Sequence, residues 1–268
     1  MDKKNKENHY LCIVEHKLQR FFLEIAYDGT AYHGWQVQDN AMSVQQKLNE
    51  ALHKILRCPI ETIGAGRTDT GVHAKQLFVH LDVLEDSIKD NNRFLHSLNA
   101  LLPHDIAVYR IFPVHHDAHA RFDATERSYE YHVHFRKNPF LLRKSWQLRD
   151  IPDILLMNEA AQFLLGTQDF GCFSKSHTQV YTNICTVTQA CWHETEEGIV
   201  FHIRANRFLR NMVRAIVGTL MEIGLQKKAP ESILETIRSK DRTKAGISVP
   251  AHGLYLTEVV YPYIAVKS

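Results

Sequence analysis

The chain has 268 residues, 44% hydrophobic and 23% charged, a globular balance with enough length to bury a core without disulfide or metal support. Five cysteines (Cys12, Cys58, Cys172, Cys185, Cys191) with no C-x-x-C among them argue against a disulfide scaffold or zinc finger and fit a reducing cytoplasm. No apolar run approaches the roughly 18 residues of a membrane span, and no apolar stretch follows the N-terminal lysines as in a signal peptide. The net charge of +2 says little, but its distribution says more. From Arg204 to Lys244, ten lysines and arginines stand against four acids, which suits either a polyanion-binding surface or a solvated helix face.

Residues 1–20 are polar and charged, an extension outside the core. FFLEIAY (21–27) reads as a strand ended by the turn pair Asp28-Gly29. Ser43 followed by Gln46 is a capping-box signature. Val44, Leu48, Leu52, Ile55 and Leu56 then recur at helical spacing, which predicts a helix over 44–56. Strands follow at 77–83 and 106–112 around a helix at 91–101. In 128–135, Tyr129, Tyr131, Val133 and Phe135 alternate as on a half-buried strand. His132 and His134 share a strand face without an evident third ligand and read as surface residues, with no metal expected. A helix at 154–165 ends at Gly166, a natural left-handed terminus. Strands at 184–193 and 199–205 flank Glu196-Glu197-Gly198 as a hairpin. A helix spans 208–224, another starts at Pro230, and 253–262 is a closing strand. Irregular alternation with hairpins predicts an α+β fold of two sheet-and-helix halves.

Three constellations carry chemistry. The first is Gly64-Ala65-Gly66-Arg67-Thr68-Asp69-Thr70-Gly71-Val72-His73-Ala74. Its glycines suit positive φ or close ligand approach, and its spacing fits neither phosphate-loop motif. The loop either presents Asp69, with Arg67 holding it ionised or gripping a substrate phosphate, or is a structural turn with a surface ion pair. The second is Arg207-Phe208-Leu209-Arg210-Asn211-Met212-Val213-Arg214, where helical spacing puts Arg207, Arg210 and Arg214 on one face. Such a row clamps phosphates or a buried carboxylate. The third is Arg127-Ser128-Tyr129-Glu130-Tyr131, flanked by Arg121, Arg136 and Lys137, where the tyrosines either stack on nucleobases or pack in the core.

G-A-G-R-T-D-T-G-V-H-A closely resembles the catalytic signature of the tRNA pseudouridine synthase A (TruA) family. AYDGTAYHGWQ (26–36), R-S-Y-E-Y (127–131), NRFLRNMVRAIVGTLMEIG (206–224) and VPAHGLYLTEVVYP (249–262) resemble further family blocks in the family's order. Thr70 departs from the family's usual alanine. The resemblance implies two ferredoxin-like (RNP-like) αβ halves, with joined antiparallel and mixed sheets and a central cleft. The divisions expected are 1–20 as extension, 21–114 with the catalytic loop, and 115–268, whose last strand is free to return to the shared sheet.

It also implies isomerisation of uridine to pseudouridine at positions 38–40 of the tRNA anticodon arm, by a cytoplasmic homodimer without cofactor or metal. By the family pattern Asp69 is the catalytic carboxylate, Arg214 its ion-pair partner, and Tyr129 the ring stacked on the target uracil. Arg67 serves the substrate backbone or the space left by the flipped base, and Leu254 packs against the uracil. Arg207 and Arg210, within the basic 204–244 region, grip the tRNA backbone. A non-catalytic tRNA-binding protein or chaperone would keep the arginines and tyrosine but tolerate loss of Asp69. A glycoside or nucleoside hydrolase would usually need a second carboxylate, and the loop offers one.

Overall fold

The computed structural model describes residues 17–175 and 181–265. Its strands are β1 (Leu18–Tyr27), β2 (Ile63–Gly64), β3 (His73–Leu84), β4 (Ile106–Val114), β5 (Glu126–His134), β6 (Trp146–Gln147), β7 (Gly166–Asp169), β8 (Ile184–Glu194), β9 (Gly198–Ala205) and β10 (Leu254–Val260). They form one sheet in the order β4-β1-β3-β10-β5-β9-β8-β7, with β2 on β3 and β6 on β5. The β10–β3 and β5–β6 pairs are parallel and the others antiparallel, so the sheet is mixed. Pro113 lies in β4 at the sheet's edge, where its missing N–H is tolerated.

Five α-helices cover the sheet: α1 (Val44–Leu56), α2 (Asn91–Leu101), α3 (Ile154–Gln162), α4 (Met212–Gly224) and α5 (Ser232–Ser239). Val44, Leu48 and Leu52 are fully buried and bind α1 to the sheet, each contributing roughly 1.5–3 kcal/mol. One apolar cluster joins α1 and α2 to β1, β3 and β4. A second joins α3, α4 and α5 to β5, β8 and β9. Register places both on one side of the sheet. Leu256 in the first cluster and Leu254 in the second are two residues apart on β10, opposite Tyr129 and Tyr131 respectively. Tyr129 touches both clusters and marks the seam between them. The other side is polar: Glu130 accepts from Lys75 and His132, and Arg204 donates to Glu258.

The α+β expectation holds, with local departures. Residues 18–20, expected in the extension, belong to β1, where Arg20 forks onto Asp82; residues 1–16 and 176–180 lie outside the described residues. The capping box is half made: Ser43 Oγ accepts from the Gln46 N–H, but the Gln46 amide turns to Glu50. His134, expected on the surface, is 4% exposed because the alternation of β5 breaks at its end. The last turn before Gly166 (φ +92°) tightens to shorter-range bonds, so α3 stops at Gln162. Similar turns from Ala229 and Pro230 precede α5.

Candidate active site

The motif loop runs from β2 into β3 and is held from three directions. Ala65 N–H donates to Phe78 O (2.8 Å), Trp35 N–H to Thr68 O (3.4 Å) and Gly71 N–H to Tyr32 O (3.3 Å). The Tyr27 and Thr68 hydroxyls share a bond of 2.8 Å. The 26–36 block is therefore the bed on which residues 68–71 lie. Gly34 is required there: it has φ +93°, and a Cβ would stand 2.3 Å from the Thr68 carbonyl oxygen. Downstream, Gly29 N–H donates to Nδ1 of buried His73, while His73 Nε2 faces the carbonyls of Arg143 and His252. Burial, partly countered by Asp28, pushes the His73 pKa down. Gly64, expected in the irregular loop, makes a short ladder in β2 instead.

Asp69 projects from this bed at 27% side-chain exposure, between two guanidinium groups. Arg214 Nη1 lies 3.5 Å from Oδ2, and Arg210 Nε lies 3.6 Å from Oδ1. Arg214 is half-buried on the first turn of α4, and its Nε–H donates to Val249 O at 2.7 Å. Val249 N–H returns a bond to Arg214 O, so the 249–262 block fixes this side chain. Arg210 and Arg207 are not on the helix, contrary to the helical-face expectation. Asn211 adopts a left-handed conformation (φ +67°) and α4 begins only at Met212. Asparagine tolerates that geometry, and its side chain donates to Ser248 Oγ at 2.6 Å. The resulting bend lets exposed Arg210 reach Asp69 from outside the helix, and it places Phe208 edge-on to Tyr129, with ring centroids 5.1 Å apart.

Tyr129 is half-buried at the seam. Its phenol is pushed up to about 12 by burial first, with Asp69 adding to the rise and Arg127 opposing it. Arg67 is exposed, and among the described residues neither it nor Arg207 pairs with a carboxylate. Leu254 is 6% exposed, opposite Tyr131, and the residue opposite Tyr129 is Leu256. Of the basic 204–244 region, Arg204, Lys228 and Lys240 are engaged by Glu258, Glu222 and Asp169.

A carboxylate flanked by arginines and an aromatic ring can act as nucleophile or base toward a planar ring stacked beside it. Comparison with known proteins narrows the setting. A family model described as tRNA pseudouridine synthase matches residues 160–262. Proteins named tRNA pseudouridine synthase A from Parabacteroides distasonis and Bacteroides thetaiotaomicron are 48% and 50% identical to this chain. The alignments span 91% of this chain in both cases, with 97% and 91% of the relatives. The relative of that name from Porphyromonas gingivalis is 48% identical over 91% of this chain and 98% of its own length.

The chain belongs to the tRNA pseudouridine synthase A family.

Family membership makes it an isomerase. Two of its site features escape sequence reasoning. Arg127, read only as a basic neighbour of the tyrosines, donates to the carbonyls of Ala124, Arg121, Asn206 and Ala65. It ties the motif loop to the segment leading into α4, and no spacing rule announces carbonyl partners. Phe208 carries a fainter signal, a lone aromatic among arginines. Among the described residues no three histidines, cysteines or acids gather as a metal site, and no helix is long and apolar enough to cross a membrane.

Proposed function

We propose that this protein isomerises uridine to pseudouridine in the anticodon arm of tRNA, at positions 38, 39 and 40, with Asp69 as the catalytic carboxylate. The observation that carries the reading is Asp69 held between Arg214 and Arg210 on a loop that meets the Tyr129 seam. The two guanidinium groups orient the carboxylate through both of its oxygens, which suits attack or proton abstraction. In the reaction N1–C1′ breaks, the uracil turns, and C5–C1′ forms. The C5 proton passes to solvent, N1 gains one, and no net oxidation occurs. Tyr129 stacks on the uracil while it turns, and Phe208 supports the ring from its edge. Arg67 and Arg207 meet backbone phosphates, and Leu254 supports the pocket wall from the core. The target base must leave its stack to reach this site, at a cost of a few kcal/mol that the pocket offsets.

The same reading takes the working form as a cytoplasmic homodimer, with residues 21–114 and 115–268 as its two halves. The four described cysteines, all free, suit a reducing compartment. Gel filtration with light scattering tests the dimer, and a monomer throughout would remove it. Tritium release from tRNA carrying 5-³H-uridine tests the function. Wild-type protein releases label and a folded Asp69→Asn variant does not. Binding without release by the wild type would leave a tRNA-binding protein, and free uracil among the products would mean a hydrolase.

A further inference from the structure

We infer that Phe122 and Arg121 form a second nucleotide subsite, which stacks an unpaired base of the RNA beside the target uridine and holds its phosphate. The inference rests on the RNA-modifying reading above. Phe122 is 73% exposed, and an isolated exposed aromatic needs no explanation. Its placement and its support do. The Arg127 Nη2 atom donates both to Arg121 O (2.8 Å) and to Ala65 O (3.2 Å) in the Asp69 loop. One guanidinium group thus joins the backbone beside Phe122 to the backbone two residues before Arg67.

The Phe122 ring is braced from within its own loop. The His119 ring lies 4.2 Å from it between centroids, tilted by 34°. His119 Nδ1 accepts from the N–H groups of Arg121 and Phe122, and Asp123 accepts from His119 N–H at 2.8 Å. A second carbonyl of this loop, Ala124 O, also accepts from Arg127. An apolar ring is therefore held outward by a closed set of hydrogen bonds, with one face resting on an imidazole. Preorganisation of this kind lowers the ordering cost of stacking.

The charge around it selects the ligand. The Arg121 guanidinium stands 5.6 Å from the Phe122 centroid. Arg127 donates to the carbonyl of Arg121 and to that of Asn206, the residue before Arg207, so the three cations share one neighbourhood. Among the described residues none of these three pairs with a carboxylate. Arg127 is held by four carbonyls, which leaves Arg121 and Arg207 for a phosphate. An exposed ring beside such guanidinium groups matches a base and its phosphate, the combination used to grip single strands.

The test is titration of an anticodon stem-loop RNA carrying 2-aminopurine at one unpaired loop position in turn. Phe122→Ala is expected to weaken binding by about 5- to 150-fold and to abolish the fluorescence quenching seen with wild type at one of those positions. Phe122→Trp is expected to restore both, and Tyr109→Ala, which removes an exposed aromatic of β4, to leave both unchanged. Wild-type affinity and quenching in Phe122→Ala would overturn the subsite, as would an equal loss in Tyr109→Ala. So would light scattering in which Phe122→Ala alone falls to a monomer, since the ring would then be a contact between subunits. Tritium release by wild type on the same RNA judges the underlying reading separately.

Discussion

Replacing Gly34 by alanine should damage both folding and catalysis, although residue 34 lies outside the motif loop. Alanine there must adopt φ near +93° with its Cβ 2.3 Å from the Thr68 carbonyl oxygen. The backbone conformation costs about 1–2 kcal/mol. The clash needs a shift of about 1 Å to reach an ordinary contact, and overpacking of this kind adds about 1–3 kcal/mol. Together they predict a loss of about 2–5 kcal/mol, or about 5–15 °C in Tm for a chain of this size. Thr68 immediately precedes Asp69, so the shift also moves the carboxylate against Arg214. A 1 Å displacement of a reacting group costs roughly 10²-fold in rate. Gly66→Ala is the internal control for folding, because a Cβ at that position meets nothing within 4 Å. Thermal melts and single-turnover tritium release on both variants decide the matter. Wild-type Tm and turnover in Gly34→Ala, or a Gly66→Ala melt as low as that of Gly34→Ala, would refute the packing argument.

Arg214→Lys keeps the charge but lacks the two separate donors that reach Val249 O and Asp69. Single-turnover rates should fall by roughly 10²-fold with little change in melting, and a wild-type rate would show that charge alone suffices. His80 is 3% exposed, and its pKa is pushed down to about 4, by burial first and then by the Arg20 and His119 charges. The unfolded chain takes the proton first, so His80 costs no stability above about pH 6.5 and lowers it progressively as pH falls toward 4, by at most about 3 kcal/mol. Urea midpoints across that range should be flatter in His80→Gln, whose amide oxygen can still accept from Ala120 N–H; an unchanged slope would assign the loss elsewhere. Neutralising Arg67 or Arg207 to glutamine should reduce the slope of log affinity for tRNA against log salt by about 0.7–0.9 each. Unchanged slopes would place the phosphates elsewhere.

Local periodicity made the helices at 44–56 and 91–101 legible to the residue, because their apolar stripes and caps agree with their surroundings. The α4 start was not legible, since the apolar spacing of 208–220 is as helical as that of α4 itself. What stops the helix is Asn211 in a left-handed conformation, tied to Ser248 far along the chain. The motif loop gave Asp69 directly, whereas its bed depends on Gly34 approaching a carbonyl, a tertiary contact without local pattern. Arg127 was equally silent, because its acceptors are main-chain atoms from three separate segments.

The insertion of β10 between β3 and β5 orders events during synthesis. Chains leave the ribosome from the N-terminus and fold in that direction. The first apolar cluster, and Asp69 with it, can consolidate around β1, β3 and β4 while the rest is still being translated. Arg210 and Arg214 emerge some 140 residues after Asp69, Val249 later again, and β10 only then joins the two stretches of sheet. A nascent or truncated chain therefore carries the carboxylate without the two guanidinium groups that flank it in the finished sheet. The flanked carboxylate is thus assembled only as nearly the last strand is added, and a fragment that ends before Arg210 holds the whole motif loop without its partners.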